Sequence, residues 1–307
     1  MLRAFFVSLS ENRTVRGFAE RSSIGQRLSS RFVAGTSIQD AVTATQSVNR
    51  LGMHVSLDNL GENVTNKDEA LDSAKLYDQI LDEIATLGLD ANVSVKLTHM
   101  GFDVDEAMAR DIVGTLVAKA AAMQPKNFVR VDMEGSPYTQ RALDLVHNLH
   151  GLPGNRGCVG AVIQAYLFRS EKDIGDLLGQ GIRVRLCKGA YKEAGDIAFQ
   201  QKSEVDDNYV KLMKILMKSG VYHGLATHDE SMIQQAVAFA QKEKIPAAAF
   251  EFQMLHGIRR DLQQKLVHDG WNVRVYIPFG TEWYPYFMRR LGERPANALF
   301  IVKNLFK

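Results

Sequence analysis

The chain has little cysteine, no long apolar run and almost no excess of either charge. Its two cysteines, Cys158 and Cys187, lie far apart inside apolar segments of a 307-residue sequence. That excludes a disulfide framework and fits buried thiols in a reducing compartment. No apolar stretch reaches the length of a membrane span. Against 37 lysines and arginines stand 35 acidic residues, a net charge of +2. No basic patch is interleaved with aromatics, so nucleic acid is not an expected partner. Eight histidines occur, but none in HExxH or another tight ligand spacing, and Asp58-Asn59 stands where a barrel hydrolase would carry HxH. No metal is therefore expected. The glycine-rich phosphate turn of an open dinucleotide-binding sheet is also missing: the first strand runs into "DNLGEN" rather than GxGxxG.

What is present is a globular composition, 46% apolar and 23% charged, enough for a full core. Short apolar or β-branched runs recur eight times, at residues 53–58, 92–97, 128–133, 158–166, 182–187, 222–228, 247–254 and 272–278. Helical patterns separate them, as in "DEALDSAKLYDQILDEIATLG". Alternating strands and helices imply a parallel sheet, and eight units imply a closed (β/α)8 TIM-like barrel. The expected division is an N-terminal helical arm over 1–45 and a catalytic barrel over 46–307. The arginine-rich start of the arm faintly resembles a transit peptide. Its acidic Glu11 and Glu20, and helical apolar spacing through Phe18, Ile24 and Leu28, favour a folded arm.

In such a barrel the chemistry gathers at the C-terminal ends of the strands. Read in order, those ends carry Asp58 with Glu62, Lys96, Asp132, Gln164, Arg185 with Lys188, Thr227 with His228, Glu251 and Tyr276. After the eighth strand comes "WYPYFMRRLGERPAN". As a helix it puts Tyr286, Arg289, Arg290 and Glu293 on one face and Tyr284, Phe287, Met288 and Leu291 on the other. The expected place of this final helix is over the C-terminal mouth. Its arginine pair, with Lys96 across the rim, makes a cationic pocket suited to a carboxylate or phosphate. Tyr276 and Tyr286 add apolar walls, which suits a small, partly apolar acid. A Schiff-base role for Lys96 is disfavoured because Asp132 nearby would keep it protonated. In "VRLCKGAYKE", Gly189 permits close backbone approach and Lys188 offers a point charge to a second, larger ligand.

These residues resemble the proline dehydrogenase family in its short bacterial form. "SLDNLGENV", "VSVKLT", "VRVDMEGS", "VIQAYL", "RVRLCKGAY", "LATHD", "FEFQMLHG", "RVYIPFG" and "YFMRRLGER" occur in the family's order and spacing across nearly the whole chain. The resemblance implies a distorted (β/α)8 barrel that holds FAD noncovalently and oxidises L-proline to Δ1-pyrroline-5-carboxylate. Hydride would go to the flavin N5, with electrons passing to a quinone. It implies that Lys96, Arg289 and Arg290 bind the proline carboxylate, with Tyr276, Tyr286 and Leu255 shaping the pocket. Asp132 would partner Lys96, and Arg185 would lie beside the flavin N5. Met133, Gln164, Lys188, Gly189, Ala190, Tyr191, Thr227 and His228 match cofactor-contacting positions. Tyr276 favours proline over hydroxyproline. Lys192 departs from relatives that carry tryptophan there. Glu62 is expected to gate the pocket by pairing with Arg289, and Glu293 to orient the arginine pair. A cytoplasmic location, with peripheral contact at the inner face of the membrane, follows from the quinone. The competing readings are another flavin or Schiff-base barrel enzyme acting on a small carboxylate, and a non-catalytic metabolite-binding barrel.

Overall fold

A computed structural model describes residues 29–293. Most of the proposed helical arm, residues 1–28, lies outside the described residues, as do the side chains of Arg289 and Glu293.

Eight parallel strands close on themselves in sequence order, β1 to β8, with β8 pairing β1. They are β1 (His54–Asn59), β2 (Ala91–Val95), β3 (Val129–Val131), β4 (Val159–Gln164), β5 (Arg183–Cys187), β6 (His223–Ala226), β7 (Phe250–Leu255) and β8 (Val273–Phe279). The helices are α1 (Ile38–Asn49), α2 (Lys67–Thr86), α3 (Glu106–Ala122), α4 (Ser136–Gly151), α5 (Ser170–Gly179), α6 (Lys202–Lys218), α7 (Glu230–Glu243), α8 (Arg260–His268) and α9 (Trp283–Glu293). Helix starts follow local chemistry. Ser37 and Asp40 form a reciprocal capping box on α1, and the Asn66 and Asp105 side chains accept the third backbone N–H of α2 and α3.

Seven of the eight expected strands match closely; in the remaining one, residues 247–249 form a 3-10 turn and β7 begins only at Phe250. This corrects one rim assignment. Glu251 is the second residue of β7, so it lies at the N-terminal end of the barrel, not at the C-terminal mouth.

The strands divide by alternation. Val55, Leu57, Val93, Val95, Val184, Leu186, Phe252, Val275 and Ile277 pack outward in the continuous core with the helices. The inward positions are polar or small, whereas barrel interiors are usually filled by branched apolar side chains. In β1 and β2 these positions hold Ser56, Asp58, Asn92 and Ser94; in β5, β7 and β8 they hold Arg185, Glu251, Gln253, Arg274 and Tyr276. A hydrogen-bonded column therefore runs along the axis.

α9 does not take the usual position of an eighth barrel helix. α1 fills that slot against β8 and β1. It is anchored where Ala34 N–H donates to Pro278 O and Gly280 N–H to Gly35 O, both at 2.9 Å. Displaced, α9 lies over the C-terminal mouth. Trp283, Tyr284, Tyr286, Phe287 and Met288 join Phe32, Val33, Leu60, Leu255 and Ile258 in a second apolar cluster. The helix is thus buried on more than the one expected face, since Tyr286 is buried too.

Candidate active site

At the mouth two charge-paired layers meet. In the first, Lys96 Nζ, one residue past β2, donates to both oxygens of Asp58 at 2.7 and 2.9 Å. Asp58 is 1% exposed. Tyr77 of α2, fully buried, locks this corner: its hydroxyl donates to Ser94 O at 2.8 Å and accepts Asn59 N–H at 3.0 Å. Burial works against a charge on Lys96, but the Asp58 and Asp132 carboxylates outweigh it and hold the ammonium above its ordinary range. A protonated lysine is no Schiff-base nucleophile.

In the second layer, Arg185 is 6% exposed and sits at the centre of the barrel. One terminal nitrogen donates to Asp132 Oδ1 at 2.8 Å and Ser94 Oγ at 3.0 Å; the other donates to Ser56 Oγ at 3.2 Å. Its Nε donates to Gln253 Oε1. Tyr276 spans the layer, its hydroxyl donating to Asp132 Oδ2 at 2.9 Å and its ring lying 5.1 Å from the Arg185 guanidinium. Burial, then the nearby carboxylates, push the Tyr276 phenol well above its usual range, so it stays a proton donor.

The expected partnership of Lys96 with Asp132 is therefore divided. Asp132 is held by Arg185 and Tyr276, while Lys96 is held by Asp58. Register does not decide this: extended past β2 and β3 it sets Lys96 beside Asp132, yet the lysine turns to Asp58 and Arg185, from within β5, takes Asp132. Sequence reasoning put Asp58 at the rim without giving it a role. It likewise quoted Gln253 and Glu134 inside motifs and left them unassigned. Alternation would have found them, since Ser56 and Asp58, like Gln253 and Leu255, share the inward parity of their strands.

The residues matched to cofactor positions follow β3 to β6. Gln164 donates to Glu134 O at 3.0 Å and accepts Ala190 N–H at 3.4 Å, which ties the ends of β4 and β5 together. Glu134 is buried against Thr98, whose hydroxyl donates to it at 2.6 Å. Gly189 has φ +120°, and a Cβ there would be driven into the Tyr166 ring. Only glycine lets this backbone lie flat on the tyrosine and leave Gly189, Ala190 and Tyr191 open at the mouth. Lys188 is clamped between Asp206 at 2.5 Å and Asp229 at 2.8 Å. His228 Nε2 accepts the Leu255 N–H at 2.8 Å, joining the loop after β6 to β7. Thr227 Oγ1 accepts Asp229 N–H at 3.0 Å, and Met133 is packed in the core.

α9 closes the other side. Its first turn, with Glu282 and Pro285, borders a small cavity shared with Leu60, Gly61, Glu62 and Lys96. Arg290 stacks on Tyr286, its guanidinium 5.1 Å from the ring centroid. Among the described residues no group of His, Cys, Asp or Glu is placed to hold a metal ion, and no helix is long and apolar enough to cross a membrane.

Fold and site together define a (β/α)8-barrel protein with cations and paired carboxylates gathered at its C-terminal mouth, the usual seat of catalysis in this fold. The proline dehydrogenase family profile matches residues 41–303. Proline dehydrogenase 1 of Bacillus subtilis subsp. natto is 38% identical over the whole of both chains. Proline dehydrogenase of Deinococcus radiodurans is 37% identical over 94% of this chain and 96% of its own. The chain belongs to the proline dehydrogenase family. Among solved structures, proline utilization A from Bdellovibrio bacteriovorus, inactivated by N-propargylglycine, superposes with a TM-score of 0.82 at 23% identity. It covers 95% of this chain, which spans 36% of that longer one.

Proposed function

We propose that the protein oxidises L-proline to Δ1-pyrroline-5-carboxylate with FAD as cofactor, as the first step of proline degradation. The observation that carries this reading is the charge-paired mouth, Lys96 on Asp58 beside Arg185 on Asp132 and Tyr276. It stands in a chain matched end to end by proline dehydrogenases.

The residues fit the cofactor. Gly189, Ala190 and Tyr191 present an open strip of chain at the mouth, and Gln164, Lys188, Thr227 and His228 border it. FAD bound there supplies the two-electron acceptor that the side chains themselves lack. Lys96, kept charged by Asp58, offers a cation to the substrate carboxylate from the barrel. Arg289 and Arg290 offer the forked partner from α9. Holding the acid at two ends fixes the ring over the acceptor and makes the encounter effectively intramolecular. Arg185, charged and buried, places positive charge where negative charge gathers as the substrate is oxidised. Tyr276, Tyr286 and Leu255 wall the ring. Glu62, which lines the small cavity with Lys96, is assigned the role of gate in this reading, and Glu293 that of orienting the arginine pair.

A quinone is the proposed electron acceptor, with peripheral contact at the inner face of the membrane. Phe168 and Ile197 on the loops after β4 and β5 are exposed, and they are the apolar surface such a contact would use. The test is optical. Purified protein supplied with FAD should turn yellow, and anaerobic L-proline should bleach it. A protein that takes up no flavin, or stays yellow with proline, refutes the reading.

A further inference from the structure

We infer that Gln253 is a positioning residue for Arg185, and that its own orientation is imposed from the closed end of the barrel by the Glu251–Arg274 ion pair. The functional half of this inference rests on the role proposed above for Arg185.

A side-chain amide is nearly symmetric in shape, so its direction is decided by its partners. Gln253 is 4% exposed and lies between two groups of fixed polarity. On one side is the Glu251 carboxylate, which takes Arg274 Nε–H at 2.8 Å and the Tyr222 hydroxyl at 2.9 Å. Burial alone would raise its pKa, yet the Arg274 charge and these donors hold it down at about 2. An ionised carboxylate only accepts. The Gln253 nitrogen must therefore face it, and does so at 2.6 Å. The amide oxygen is left facing the opposite way, where Arg185 Nε–H donates to it. A flip would set N–H against N–H and oxygen against carboxylate, losing both bonds at once.

The consequence falls on Arg185. Its terminal nitrogens are shared among Asp132, Ser94 and Ser56. Those contacts lie at one end of a planar group. The two terminal nitrogens already set the orientation of the plane; the bond at Nε adds a third point at its other end and holds the group against tilting within that plane. The space for this is reserved by Gly224 on β6, in register with Glu251. A Cβ at Gly224 would collide with the Gln253 amide. No step of the proposed reaction touches Gln253.

The experiment uses the full chain with FAD, comparing wild type, Gln253→Met and Gln253→Glu. Methionine keeps the volume and removes both hydrogen bonds. The expected result is a shifted, less protected Arg185 Nε–H signal in the 15N spectrum, assigned with Arg185→Lys. Flavin reduction by proline should slow about tenfold or more, the flavin midpoint potential should fall, and the proline Kd should change less than about threefold. Glutamate still accepts from Arg185, but it can donate to Glu251 only when protonated. The charged and titratable groups around position 253 are Glu251, Arg274, Arg130 and Arg183 below, Arg185, Asp132 and Tyr276 above, and Tyr222 beside. Burial and the Glu251 carboxylate favour the neutral acid while Arg185 favours the charged one; the charged form repels Glu251, so Gln253→Glu should reduce flavin more slowly than wild type and recover as pH falls.

An unchanged Arg185 signal in Gln253→Met overturns the positioning role. A shifted signal with an unchanged reduction rate and potential overturns its functional consequence. Should the methionine variant not fold, a Gln253→Glu pH profile identical to wild type overturns the inference. The spectrum reports on Arg185 whether or not proline bleaches the flavin, so failure of the proposed activity is distinguished from failure of this inference.

Discussion

Replacing Asp58 by asparagine removes one charge and almost no volume from the floor of the site. In the wild-type fold Lys96 lies under α9 with its ammonium held by both Asp58 oxygens. The lysine side chain is 14% exposed and the aspartate side chain 2%. Removing one member of a buried pair usually costs about 3–5 kcal/mol, because the remaining charge stays desolvated. Asparagine keeps one acceptor oxygen, so a value near the lower end, about 3 kcal/mol, is expected. At the unfolding entropy of a chain this long, that corresponds to a Tm lower by about 5 °C. The pH dependence is more diagnostic than the size. In wild type the folded pKa of Lys96 is raised, so its stabilisation is fully present below the unfolded value of about 10.4. It is lost only as pH climbs through the folded pKa. Without Asp58, burial dominates and the lysine pKa falls toward or below the unfolded value. Stability of the variant should then improve, not decline, as pH rises from about 7 to about 10. Proline binding should weaken over the same range, because the cation that receives the carboxylate is lost. Thermal unfolding against pH and proline titration of the flavin spectrum measure both. A variant within about 1 kcal/mol of wild type, with an unaltered pH profile, would refute the assignment of Asp58 as the group that keeps Lys96 charged.

Other outcomes follow from the same geometry. Arg290→Ala removes one forked carboxylate contact and should weaken proline binding by about 2–3 kcal/mol, a rise of roughly 30- to 150-fold in the apparent constant, read from the substrate dependence of flavin reduction. Glu251→Ala leaves Arg274 buried without its carboxylate and should destabilise the fold by about 3–5 kcal/mol in denaturant titration. Since Glu251 is depressed to about 2, its contribution is present above the unfolded value of about 4.3 and lost as pH falls through about 2. Acid unfolding of wild type should therefore carry a component in that window that the Glu251→Ala variant lacks. Gly189→Ala combines an unfavourable φ with a collision against Tyr166. It should cost about 1–3 kcal/mol and appear as weaker FAD retention and faster proteolysis of the loop after β5.

Much of the architecture was legible because each strand and helix carries its own period. Eight apolar runs separated by amphipathic stretches leave few alternatives to a closed parallel barrel, and the eighth closes against the first. The start of β7 was not legible. "AAAFEFQM" reads as one apolar run, and only the 3-10 turn at Ala247–Ala249 shows where pairing begins. That shift of three residues moved Glu251 from the mouth to the opposite end.

The site divides in the same way. Which residue types stand at the strand ends, a lysine, an aspartate, an arginine and a tyrosine, is a property of the sequence and of strand alternation. So is the face shared by the arginines of α9. Who pairs with whom is not. Lys96 and Asp132 are each one residue past a strand, and nothing local says that the lysine turns to Asp58 while Arg185 rises from within β5 to take Asp132. Nor does anything local send α1 into the slot of the eighth helix and α9 across the mouth. Local propensity and periodicity act over a few residues and are written in the chain. The pairs that decide the site, Lys96 with Asp58 and Arg185 with Asp132, join residues 38 and 53 positions apart, and only closure of the barrel brings such partners within reach of one another.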